Sequence, residues 1–116
     1  PGGTLVIYDI LQGPGGPVRY PMPWSVDGTT SFLLDLAGMK QHLAAAGFEV
    51  VEVRERREES LAWFETRAAA AAAGRLPPIN LTLLLGPLFK DAFANLTVSL
   101  KEARIIPTYL RTVRLP

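Results

Sequence analysis

From Thr4 to Leu11 the chain runs almost without polar interruption through Leu5, Val6, Ile7, Tyr8 and Ile10, with Gly2-Gly3 before it and Gly13-Pro14 after it. A short apolar run closed by turn residues predicts a strand buried on both faces, the kind found inside parallel sheets. The text from Gln12 to Thr30, "QGPGGPVRYPMPWSVDGTT", is too rich in Gly and Pro for regular structure. It is also longer than most connections inside a compact domain, and long loops of that kind tend to carry function or to be disordered. Periodicity then changes. Leu36, Met39, Leu43 and Ala46 recur at helical spacing while Lys40, Gln41 and His42 fall elsewhere, so a helix with one inward face is predicted, N-capped by Asp35. Gly47 stands where a left-handed residue closes such a helix, and Phe48 stands where a side chain folds back on the last turn. Gly38 occupies the first turn in place of the Glu of a capping box, so that turn is expected to be soft.

"FEVVEVR" from Phe48 to Arg54 is short and β-branched and predicts a second strand. Strand, helix and strand thus follow one another as a β-α-β unit with a right-handed crossover. Leu61, Phe64 and Ala68 form the stripe of a further helix, extended by alanines to Ala73 and closed by Gly74, after which Pro77 and Pro78 stop it. Gly86-Pro87 opens another helix, because proline at the first helical position gives up a donor that has no partner there. Its stripe is Phe89, Phe93, Leu96 and Leu100. In "RIIPTYLRTVRLP" Ile106, Thr108, Leu110 and Thr112 alternate with Tyr109, Arg111 and Val113, which predicts a last strand whose regular pairing begins after Pro107. The order is strand, helix, strand, two helices, strand.

Composition narrows the partners. The chain has 116 residues, 48% of them hydrophobic, enough for one core and short of two. Its 12 Lys and Arg nearly balance 11 Asp and Glu, so no overall field draws it to nucleic acid or to an acidic membrane. The absence of Cys removes disulfides and thiolate chemistry and fits a reducing cytoplasm. Pro77, Pro78, Gly86 and Pro87 punctuate the greasiest stretch, so no apolar run is expected to reach the roughly 20 residues of a membrane helix. The opening "PGGTLVIYDIL" has neither an initiator Met nor the basic region of a secretory signal, and is expected to be internal to a longer chain.

Three strands leave two edges of unpaired backbone, and the first strand is too apolar for one of them. "PGGTLVIYDIL" resembles the fifth strand of the class I, Rossmann-like S-adenosylmethionine-dependent methyltransferases, introduced there by a Pro-Gly-Gly turn. The Gly47-Phe48 step of "AAGF" is similar to the next junction of that family, and "PTYLRTVRLP" is placed to be its antiparallel closing strand. The loop "YPMPWSVDGTTSFL" and the segment "LLLGPLFKDAFANLTVSLKEARI" resemble the subgroup of ubiquinone/menaquinone and sarcosine/dimethylglycine methyltransferases. The resemblance spans residues 1–116 and implies a single partial domain, the C-terminal half of a methyltransferase sheet, α/β in class. It also implies that the Gly-rich turn and the ribose-binding acid that hold S-adenosylmethionine precede this chain. The chain alone is then expected to be inactive, with no cofactor-binding and no metal-binding residue, while its parent methylates a small-molecule acceptor.

Tyr20, Met22 and Trp24 lie on the loop after the first strand, at the carboxyl edge where open α/β sheets bind ligands. Either they wall an acceptor pocket or they pin a proline-rich loop to the surface. Tyr20, Pro23 and Trp24 are the acceptor-wall candidates, joined by Asp9, which either faces the acceptor or bonds its own loop. Methyl transfer from a sulfonium needs alignment and a dry pocket more than an acid/base pair, so no catalytic residue is assigned. His42 reads as solvated, the cluster Arg54 to Glu59 as a strand-helix boundary, and "GPGGP" lacks the ending of a phosphate loop. Arg104, Arg111 and Arg114 form a basic strip without the aromatic interleaving of a nucleic-acid surface. Phe89, Phe93 and Leu96 read as core, and the subgroup resemblance implies that their helix roofs the acceptor pocket. The second class of function is a stand-alone α/β interaction or ligand-binding module dimerising through an exposed sheet edge. A homo-oligomer, through that edge or an exchanged element, is expected of the chain by itself.

Overall fold

The computed structural model describes residues 1–79 and 81–116. Three strands, β1 (Thr4–Gln12), β2 (Phe48–Glu55) and β3 (Ile105–Arg114), make one sheet in the order β1-β3-β2. β3 is antiparallel to both neighbours, so β1 and β2 run parallel to each other across it. Helix α1 (Leu36–Ala45) joins β1 to β2; α2 (Arg57–Ala72), α3 (Leu81–Leu85) and α4 (Phe89–Lys101) lie between β2 and β3. A single 3₁₀ turn at Gly86–Leu88 links α3 to α4. The short α3 was not among the elements the periodicity predicts.

Side chains alternate across the pleat. Leu5, Ile7 and Leu11 of β1 share a face with Leu110 and Thr112 of β3 and with Val50 and Val53 of β2. Leu110 and Thr112 are 0% exposed there, and the Thr112 hydroxyl donates to the Leu5 carbonyl at 3.0 Å. α1 packs on β2 with Leu43 buried and Leu36 and Met39 half-buried, as their spacing predicts, while Ala46, expected on the same face, is exposed at the C-cap. Asp35 is its N-cap, as expected. Asp35 Oδ1 accepts from the Gly38 amide at 2.7 Å, and a Cβ on residue 38 would sit 3.1 Å from that oxygen. The glycine that weakens the turn by propensity is what lets the capping carboxylate close in. At the other end Gly47 takes φ +84° and Leu115 donates to its carbonyl, which ties α1 to the end of β3.

Two strand expectations are corrected. β1 is not buried on both faces, since Val6 is 51% and Tyr8 60% exposed, and it lies at the edge of the sheet, with β3 on one flank and no described residue pairing on the other. Pairing of β3 begins at Ile105, not after Pro107, and Ile10 faces Pro107 in the ladder. In an extended residue the amide and carbonyl point the same way, and the Pro107 carbonyl accepts from Arg56 N at 2.7 Å, on the flank where β2 has just ended. The donor that proline lacks is one the ladder does not use. A third correction concerns membrane length. Leu83–Lys101 is long and apolar enough by composition to cross a bilayer, but it breaks at Gly86 (φ +57°) and Pro87 and inserts Leu96 and Leu100 into the core.

Candidate functional site

The loop after β1 is tied down by specific bonds. Met22 and Ser25 exchange backbone hydrogen bonds of 2.8 and 3.1 Å. The Asn95 amide on α4 donates to the Pro21 carbonyl at 3.0 Å, and Trp24 Nε1 donates to Ser31 Oγ at 3.0 Å. Ser25 Oγ takes the Gly28 amide at 3.0 Å and the Thr30 hydroxyl at 2.9 Å. Asp27 holds the Thr29 hydroxyl and amide, and those hydrogen bonds lower its carboxyl below the usual range. Gly28, at φ +92°, leaves no room for a side chain because the Tyr20 ring lies where a Cβ would sit, 2.8 Å from Cε2.

Met22 is the anchor. It packs with Leu96, Leu100 and Ile105 in the buried cluster, and Tyr20 and Trp24 lean half-buried against that cluster. Pro23, between them, is half-buried. Ile10 joins the same cluster, so the preceding residue, Asp9, projects from the opposite face of β1, paired in register with Thr108. The structure therefore seats Tyr20 and Trp24 on one cluster and leaves Asp9 apart, its Oδ1 accepting from the Ile10 amide at 2.8 Å.

The glycines of "GPGGP" serve packing. A Cβ on Gly13 would lie 2.1 Å from the Ala103 carbonyl oxygen, and one on Gly15 would lie 1.7 Å from that of Glu102. The loop crosses the end of α4 at backbone contact, with Gly15 N donating to Ala103 O at 2.9 Å and Gly13 N to Arg104 O at 2.8 Å. Arg104 pairs with Glu102 and donates to the Pro17 carbonyl, so it latches the loop and is not part of a free basic strip. Arg111 and Arg54 converge on Glu52, and chiefly the Arg111 hydrogen bond, then that of Arg54, holds the Glu52 carboxyl below its usual range. His42 is exposed.

The larger cavity, about 590 Å³, lies between α2 and α4. Trp63, Phe64, Phe89 and Phe93 wall it, in a chain of ring contacts with centroids 4.9, 5.6 and 4.6 Å apart. Ala68, Ala71 and Ala94 provide the space. A second hollow of about 460 Å³ shares Trp63 and Phe64 and runs over Tyr8, Ile10 and Pro107. None of Asp9, Tyr20, Pro23 or Trp24 lines either one. Sequence reading placed Phe89 and Phe93 in a stripe but missed Trp63; the readable signal was two aromatics facing an alanine tract at helical spacing. No group of three or more metal-ligating side chains occurs among the described residues.

No family model and no curated protein matches the sequence. Solved structures do. The apo form of mycolic acid cyclopropane synthase CmaA1 superposes with TM-score 0.68 at 11% identity, over 97% of this chain and 47% of that one. The (4+2)-cyclase SpnF superposes with TM-score 0.58 at 21% identity, over 100% of this chain and 40% of that one. The fold matches part of a Rossmann-like methyltransferase fold. The chain spans less than half the length of each of those structures.

Proposed function

We propose that the chain is the C-terminal, acceptor-side part of a class I S-adenosylmethionine-dependent methyltransferase that methylates a small molecule and is inactive without its other half. The observation that carries this reading is the strand order, a closing strand inserted antiparallel between two mutually parallel ones. The residues present do not fit the cofactor, since Gly13 and Gly15 of the first loop are packed against the end of α4. Tyr20, Pro23 and Trp24 would wall the acceptor and exclude water, and Asp9 would reach it only from the other face of β1. The reaction itself is the finer part of the proposal, because the two superposed proteins are by name a cyclopropane synthase and a cyclase. The acceptor subgroup rests on the sequence resemblance alone. Residence in the cytoplasm rests on composition.

The test is to read the coding sequence upstream of Pro1, express the extended chain and titrate it with S-adenosylmethionine by calorimetry. A strand, a Gly-rich turn and a helix upstream, with saturable heat from the extended chain and none from residues 1–116, are expected. An upstream sequence without that unit, or an extended chain that gives no heat, would sink the reading. Trp24→Ala in the extended protein should raise KM for the acceptor and leave cofactor affinity unchanged. The exposed flank of β1, with Val6 and Tyr8 beside it, favours a second reading: a module that dimerises edge to edge. Sedimentation separates the two, since the module stays dimeric after extension while the methyltransferase loses the dimer once its own strand covers that edge.

A further inference from the structure

The cavity between α2 and α4 is lined by carbon almost throughout. Its polar side chains are Arg67, Lys90, Thr97 and the indole of Trp63, and the Thr97 hydroxyl is committed, donating to the Phe93 carbonyl at 2.9 Å. Among the described residues no acidic side chain lines it. Neither Arg67 nor Lys90 has a carboxylate partner among the described residues; the Arg67 guanidinium instead rests over the Trp63 ring, 5.4 Å from its centroid. Two uncompensated cations at an apolar cavity of about 590 Å³, a volume typical of small-molecule sites, specify the ligand by charge complementarity.

We propose that this cavity binds an amphiphile with a long apolar body and one anionic head, such as a medium-chain fatty carboxylate. The body lies against Phe64, Phe89 and Phe93, where burial is favourable and no polar group is desolvated. The head is taken by Arg67 and Lys90 at the rim, where a carboxylate replaces water in charge-assisted hydrogen bonds. The site is separate from the Tyr20–Trp24 loop and needs no methyl donor, so it stands or falls independently of the methyltransferase reading.

The experiment titrates the full 116-residue chain with dodecanoate, dodecyltrimethylammonium and dodecanol below their micelle concentrations, following amide shifts by NMR. Saturable dodecanoate shifts centred on Ala68, Ala94 and Thr97 are expected, with the ammonium compound at least about tenfold weaker. The double substitution Arg67→Gln, Lys90→Gln, with the dispersion of the amide spectrum as the check on its fold, should weaken dodecanoate about tenfold and dodecanol hardly at all. Ala94→Phe should block all three by filling the space. Equal affinity for the two charged probes, insensitivity to the double substitution, or shifts confined to α3 would overturn the proposal. So would the absence of saturable binding, or a self-association of the chain that alone accounts for the shifts.

Discussion

The two ends of the molecule are built to different standards. Around β3, Leu100, Ile105, Leu110 and Thr112 are 0% exposed, and the Gly13–Gly16 loop meets the end of α4 at backbone distance. In the arm formed by α2 and α3 no described side chain is fully buried: α2 has no buried residue, and Ile79, Leu83 and Leu84 stand in the open. Both regions are apolar in sequence. What separates them is partners, since β3 is paired along both edges and buried on the Leu110–Thr112 face, whereas α2 meets α4 and the end of the sheet. Stability and unique structure belong to the first region; space for a ligand belongs to the second.

The largest effect expected is at the centre of the sheet. Leu110→Ala should cost about 3 kcal/mol in urea unfolding, the range for a fully buried leucine, while Trp63→Ala on the arm should cost less than about 1 kcal/mol. Equal losses would erase the distinction. Glycines sharpen it next. Gly15→Ala forces a Cβ into the Glu102 carbonyl and should cost about 2 kcal/mol. Gly74→Ala, at φ +69° with open space around it, should cost about 1 kcal/mol from backbone conformation alone. A thermal melt in which Gly74→Ala is the worse of the two would contradict the packing at the α4 crossing.

A gain of stability is expected at Ala103, the one non-glycine residue with positive φ (53°) among those described. It follows the last turn of α4, where Arg104 N closes back on Ser99 O at 2.8 Å. Ala103→Gly should raise stability by about 1 kcal/mol, because glycine takes that conformation without strain. The smallest effect is at Glu52, whose carboxyl is lowered by Arg111 and Arg54. A depressed carboxyl adds stability above its unfolded value and loses it as the pH falls through its folded value. Wild-type unfolding midpoints should therefore drop slightly further than those of Glu52→Gln as the pH passes down through the usual glutamate range and below; parallel curves would remove Glu52 from the sheet's support.

The site was less legible than the fold. Leu36, Met39 and Leu43, or Phe93, Leu96 and Leu100, show their faces because helical period is a local property. That Tyr20 and Trp24 share a surface follows from their loop, but their seat on Met22 and Leu96 needs a contact across some seventy residues, which no local pattern encodes. Asp9 looked near them because it is near in sequence; pleat alternation puts it on the other face of β1. Trp63 and the cavity were invisible for the same reason, as a void is a property of two helices together.

By itself, the sequence determined the three strands and the helices α1, α2 and α4, where Asp35 and Gly47 bound α1, and that one α/β sheet results, because these follow from side-chain period and backbone stereochemistry within a few residues. Tertiary structure decided that β1 lies at an edge, that Pro107 fits a central strand because β2 ends beside it, and that Gly13 and Gly15 are glycines for the sake of α4. Each of those depends on which distant backbone arrives alongside, and pairing and close packing are settled between elements, not within them.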